Sequence, residues 1–184
     1  MSRSLLSPAH LRPARPADRR TGSAALAAAL AVVADRWLPL VEYRAGSRWS
    51  APLPHDAAAD VLDPSLHEDL ARAQVWLLSW LPGQGTPLHD HGASAGAFAV
   101  ASGTLTERVV AQRRTQPPHQ STADLSAGRV RHFGPHYVHQ VTNDGDRPAV
   151  SVHVYTPGLT WMNRYEITDG GLRRTGTERA GVDW

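Results

Sequence analysis

The sequence predicts an all-β sandwich or barrel preceded by a short helical segment, and three observations carry that prediction. From Gln74 onward the chain breaks into short runs with alternating or β-branched content: QVWLLSWL, AGAFAVA, TLTERVV, RVRHF, VHQVTN, AVSVHVY and WMNRYEI. Between them stand turn-forming clusters such as LPGQGTP, SGT and NDGDRP. The stretch before Gln74 has a different texture, rich in Ala, Leu and Val at helical spacing. At 184 residues the chain is one domain's worth, long enough to bury a core.

Taken in order, residues 1–22 are rich in Pro, Arg and Ser with little periodicity and read as a disordered tail. Residues 23–72 form a helical and loop segment expected to pack on the barrel. A first helix is expected over 23–41, ending near Pro39. A second is expected to start at Asp63–Pro64, because Asp is a good N-cap and Pro suits the first helical position. Residues 73–184 supply the strands. The polar stretch QRRTQPPHQSTAD (112–124) reads as an exposed hairpin tip.

Composition narrows the functions. The 19 basic and 17 acidic residues leave a net charge of +2, with no dense Lys/Arg block interleaved with aromatics, so no nucleic-acid partner is expected. Cysteine is absent, which removes disulfides, thiolate metal sites and cysteine nucleophiles and leaves His, Asp and Glu as the strong ligand types. Arg19–Arg20 precede the apolar run AALAAALAVVA in the manner of a twin-arginine export signal. That run continues into DRWLPLVEY without a maturation boundary, and it falls short of the ~20 apolar residues that span a bilayer. The expectation is a helix, no membrane association and a cytoplasmic protein.

The chemistry gathers around histidines. In a strand, residues two apart share a face, so His89 and His91 of TPLHDHG project together and Asp90 turns away. Such a pair is either half of a metal site or an accident of sequence. Ser151, His153 and Tyr155 have the same spacing and share one face in turn.

Two longer patterns enclose these residues. Gly83, His89, His91, Gly96 and Gly103 give G-x5-H-x-H-x4-G-x6-G, and Gly128, Gly134, His136, His139 and Asn143 give G-x5-G-x-H-x2-H-x3-N. They resemble the two signature motifs of the cupin jelly-roll barrels. In that resemblance the metal histidine of the second motif falls on His139, and Gly96 stands where most cupins carry a glutamate ligand. It therefore implies a metal held by three neutral imidazoles, His89, His91 and His139. The remaining histidines, His10, His55, His67 and His119, have no such context, while His132 and His136 flank a glycine turn and suit surface or outer contacts.

Within the cupins the chain resembles the thiol dioxygenases typified by cysteine dioxygenase. The match runs through WLPGQGTPLHDHGASAGAFAVASGTLTE, HYVHQVTN and SVHVYTPG and covers residues 37–167. It implies Fe(II) as cofactor and oxidation of L-cysteine by O2 to the sulfinic acid. It also implies a Ser151–His153–Tyr155 triad, with Tyr155 bonding to the substrate or to the oxygen that attacks it. Animal members cross-link a cysteine to that tyrosine. Gly96 takes its place here, so Tyr155 is expected to be a free phenol.

A substrate carboxylate calls for a guanidinium fork. The resemblance implies such an arginine upstream of the first metal strand, where Arg48, followed by Trp49, is the preferred anchor and Arg44 the alternative, with Arg164, after the triad, as a second possible anchor. The rival enzyme reading is a dioxygenase of 3-mercaptopropionate or another mercapto acid. More distant are a metal cupin of other chemistry and a non-enzymatic binding module. The partners expected are a small thiol and O2, with the protein a monomer or small homo-oligomer.

Overall fold

The computed structural model describes residues 18–112 and 117–181. The helices are α1 (Asp18–Val32), α2 (Ala34–Trp37), α3 (His55–Ala59) and α4 (His67–Leu70). The strands are β1 (Trp49–Pro52), β2 (Gln74–Trp80), β3 (His89–Asp90), β4 (Ala95–Ser102), β5 (Thr104–Ala111) and β6 (His119–Ser126). They continue with β7 (Val130–Phe133), β8 (Val138–Thr142), β9 (Ala149–Thr156), β10 (Trp161–Thr168) and β11 (Gly171–Arg179). All pair antiparallel, in a five-stranded sheet ordered β1-β2-β9-β4-β7 and a six-stranded sheet ordered β11-β10-β3-β8-β5-β6. The two sheets form a cupin-like β-sandwich with the helical segment on the outside.

Strands β2, β4 and β9 are buried on both faces, which is why they read as near-continuous apolar runs. Their alternate residues serve two cores. Val75, Leu77, Ala97, Ala99, Val150, Val152 and Val154 face outward and pack against Leu26, Ala27 and Leu30 of α1. Trp76, Leu78, Trp80, Phe98, Val100 and Tyr155 face inward and meet Leu105, Leu125, Phe133, Val141 and Met162 between the sheets. A one-residue register slip would exchange the two sets, so the helix on one side fixes which side chains reach the interior on the other.

The structure adjusts several sequence expectations. Helix α1 begins at Asp18, inside the stretch read as a tail, while residues 1–17 lie outside the described residues. Asp63 does cap a turn, accepting a hydrogen bond from Ser65 N at 2.9 Å, but a 3₁₀ turn precedes the short α4. Within the segment read as helix and loop, β1 adds an edge strand to the five-stranded sheet, with Pro52 at its end where a missing N–H is tolerated. Of the expected hairpin tip, residues 113–116 lie outside the described residues and 119–124 are strand: β6 reaches back to His119 and is exposed along most of its length, so no burial period marks it. The edge strand β11 was not foreseen either, being polar and largely exposed. Among the described residues no single helix is long and apolar enough to cross a membrane, and the pair Gly22–Val32 and Ala34–Leu40 is bent by 75°.

Candidate metal centre

The six-stranded sheet brings the three histidines together. His89 on β3 and His139 on β8 are direct cross-strand partners, so their side chains leave the same face. His91 follows immediately after β3. All three are buried, and one nitrogen from each lies within 4.8 Å of the others. The rings sit 4.7 to 5.1 Å apart, centre to centre.

Burial sets the charge of two of these rings. His89 is pushed down to about 3, first by desolvation and then by His139, and His91 is held well below its ordinary value by burial and by His89 and His139. Neutral imidazoles each present a lone pair. His89 Nδ1 lies 2.9 Å from the Pro87 carbonyl, an acceptor only, so Nδ1 carries the proton and Nε2 is left bare. His139 Nδ1 lies 2.8 Å from Glu107 Oε1, which bares its Nε2 in the same way.

His139 Nε2 and His91 Nδ1 are buried atoms with no hydrogen-bond partner among the described residues. Two orphaned nitrogens in one cluster are costly unless a cation satisfies the site, and a donor set of three imidazoles fits iron, zinc, nickel or copper.

Two features keep acids out of the cluster. Asp90, between the ligands, is buried but turned away: Oδ1 accepts from Gly92 N and Asn163 Nδ2 at 2.9 Å each, and Oδ2 accepts from Tyr165 OH at 2.7 Å. It ties the histidine strand to β10. At Gly96 no side chain fits, because a Cβ would collide with the Val154 carbonyl and lie 2.9 Å from Phe133 Cζ. Phe133 occupies that space and stacks on His91, ring centres 4.1 Å apart.

The five-stranded sheet supplies the opposite wall. Ser151, His153 and Tyr155 all face inward from β9, as their spacing predicts. Trp80 Nε1, which can only donate, bonds to Ser151 Oγ at 2.9 Å. Ser151 Oγ lies 2.9 Å from His153 Nε2, and Tyr155 OH lies 3.4 Å from His153 Nδ1. His153 is kept neutral, its value lowered well below normal by burial first and by Arg48 next.

One arrangement satisfies every group: Ser151 accepts from the tryptophan and donates to His153 Nε2, and Nδ1–H donates to the tyrosine oxygen. Tyr155 is left with its own O–H to direct into the cavity. Burial raises the Tyr155 value above the ordinary phenol range, against an opposing pull from Arg48, so the phenol stays protonated.

A narrow cavity joins the two walls. Arg48, Trp80, His89, His139, His153 and Tyr155 line it, with Leu78, Val141 and Met162 as its apolar sides. Of the three arginines considered, Arg48 is therefore the one in the cavity. Its guanidinium carbon sits 4.9 Å over the Trp80 ring, and burial lowers its value while Tyr155 and Glu178 raise it. Arg44 is exposed and pairs with Glu42 at 2.8 Å, away from the cavity. Arg164 is the cross-strand partner of His89 but half-exposed, and it forms an ion pair with Glu178. His55, His119, His132 and His136 are exposed, and His67 is half-buried against the Ala59 carbonyl; none joins the cluster.

Sequence reasoning missed Glu107, Phe133 and Trp80. Trp80 and Glu107 lie at the two ends of the long matching segment 80–107, which was the available signal.

A family model for cysteine dioxygenase type I matches residues 68–168. Among solved structures the chain is similar to TT1209 from Thermus thermophilus, at 21% identity over 66% of this chain and 93% of that one, with a TM-score of 0.48. It is also similar to an oxalate oxidase in complex with a substrate analogue, at 14% identity over 61% and 52%, TM-score 0.48. A third likeness is the oxalate decarboxylase of Lactobacillus farciminis, at 15% identity over 65% and 32%, TM-score 0.47. The chain thus spans about half of the oxidase chain and about a third of the decarboxylase chain.

Proposed function

We propose that this chain, which belongs to the cysteine dioxygenase type I family, is an iron-dependent thiol dioxygenase that converts L-cysteine and O2 to cysteine sulfinic acid. The observation that carries the proposal is the shared cavity, in which His89 and His139 of the three-histidine cluster, Arg48 and Tyr155 line one small space. Ferrous iron held by His89, His91 and His139 would activate O2 toward a thiolate sulfur, which itself gives up the four electrons that O2 takes. Both oxygen atoms then end on sulfur, so no external reductant is needed.

The chain's own groups divide the remaining work. Three neutral ligands leave the cation's charge uncompensated, which favours an anionic sulfur donor. Arg48 presents a charge-assisted fork to the substrate carboxylate, held over Trp80 in a dry setting where the pairing is strong. Tyr155, protonated and oriented by His153, donates a hydrogen bond into the cavity. Leu78, Val141 and Met162 exclude water from the reacting sulfur. A reducing cytoplasm would keep a thiol substrate in the reactive form.

The test is oxygen uptake by iron-loaded protein with L-cysteine, 3-mercaptopropionate and cysteamine, with the product identified by mass. Cysteine should be consumed fastest and gain two oxygen atoms, and cysteamine, lacking the carboxylate, should be poor. Absence of thiol-dependent oxygen uptake would overturn the dioxygenase reading. A preference for 3-mercaptopropionate would replace the substrate.

A further inference from the structure

The acid missing from the ligand set stands one shell out. Glu107 is on β5, opposite Val141 of β8, and so shares the inner face with Val141 and His139. Only 1% of it is exposed. Its Oε1 lies 2.8 Å from His139 Nδ1, and the Tyr137 hydroxyl donates to the same oxygen at 3.3 Å. Its Oε2 lies 2.9 Å from Arg131 Nε, whose side chain reaches partly to solvent.

We propose that Glu107 is a positioning residue for the metal: it orients His139, holds its proton on Nδ1 and directs the bare Nε2 at the cation. This rests on the metal site proposed above and adds a residue to it. A carboxylate accepting from the far nitrogen makes an imidazole a stronger donor to a cation and fixes its ring plane. His89 has only a neutral carbonyl in that role, and His91 Nδ1 has no partner among the described residues. His139 is therefore the ligand with the greatest electrostatic support. Arg131 draws on the other carboxylate oxygen and so tempers that support rather than supplying it. Tyr137 limits the carboxylate's rotation.

A plain structural account of Glu107 exists, since a buried carboxylate paired with Arg131 also holds β5 near β7. The two accounts differ in which partner matters. Cobalt(II) binding to the full chain, measured by chelator competition and followed by the metal's visible absorption, separates them. Glu107→Gln keeps the size and an acceptor oxygen but removes the charge; it should weaken cobalt(II) binding by about tenfold to a hundredfold. Glu107→Asp, which keeps the charge but withdraws it from Nδ1 by one methylene, should also weaken binding. Arg131→Met breaks the ion pair but leaves Glu107 on His139, and should bind cobalt(II) at least as tightly as wild type.

Equal weakening in Glu107→Gln and Arg131→Met would overturn the proposal in favour of the structural account. Binding by both Glu107 variants within twofold of wild type would overturn it outright. Failure of the wild-type chain to bind cobalt(II) would remove the metal site itself, and this inference with it.

Discussion

Two walls of one cavity carry buried histidines in opposite states of satisfaction. On the six-stranded sheet, His139 Nε2 and His91 Nδ1 have no hydrogen-bond partner among the described residues. On the five-stranded sheet, both nitrogens of His153 are engaged, one by Ser151 and the other by Tyr155. Burial alone treats the two groups alike, driving His89, His91 and His153 toward the neutral form. The difference lies in what the lone pair faces. A nitrogen left bare by its surroundings is waiting for a ligand, and one that is already bonded transmits orientation to a neighbour.

The sharpest way to break this comparison is to delete one histidine from each wall. His139→Ala should lose nearly all bound iron, because two imidazoles chelate far less well than three. His153→Ala should keep it. Metal analysis of the purified variants checks both, and iron loss in His153→Ala would erase the distinction. Tyr155→Phe, at the end of the satisfied chain, should retain iron while turnover falls by roughly 10²–10⁴-fold, the range for a group that donates or moves a proton in the reaction. Oxygen uptake at saturating cysteine measures it.

A smaller effect sharpens the contrast at the substrate anchor. A charge-assisted pair contributes roughly 1.5–3 kcal/mol, so Arg48→Ala should raise the apparent KM for cysteine by about tenfold to a hundredfold at 1.4 kcal/mol per decade. Arg44→Ala should be silent, since that side chain is exposed and paired with Glu42. Steady-state kinetics on the two variants decides the matter. A damaging Arg44→Ala would move the anchor.

The last effect concerns acid. His153 titrates in the unfolded chain near 6.5 and well below that when folded, so below 6.5 the unfolded state binds the extra proton. Stability of the metal-free protein should therefore be flat above that pH and decline as pH falls through it, by up to about 1.4 kcal/mol per pH unit for each buried neutral histidine. His89, whose folded value is about 3, adds to the same slope from 6.5 down toward 3. Urea unfolding at pH 7, 6 and 5 measures the slope, and stability that rises on acidification would contradict the neutral assignment.

What could be read from the sequence was whatever period and motif encode locally. His89 with His91, and Ser151 with His153 and Tyr155, are legible because a two-residue repeat fixes a shared face before any partner strand is known. Glu107 was not legible. Its bond to His139 spans 32 positions and exists only through the pairing of β5 with β8. Arg48 was named as the preferred anchor from a resemblance, but its place in the cavity depends on β1, an edge strand hidden inside what read as helix and loop. Strands β6 and β11 escaped because their exposed faces leave no burial pattern to detect.

The packing of Phe133 against Gly96 has a consequence for how such a cavity can change over generations. A larger residue at 96 meets the Phe133 ring and the Val154 carbonyl, while a smaller residue at 133 leaves His91 without its stacked neighbour. Overpacking and hollowing a core each cost on the order of 1–5 kcal/mol, a large share of a small domain's stability. A lineage acquiring a side chain at position 96 must therefore move the β9 backbone as well as the Phe133 ring, because no substitution at 133 shifts the Val154 carbonyl, so glycine at 96 is held by backbone geometry rather than by its aromatic neighbour alone.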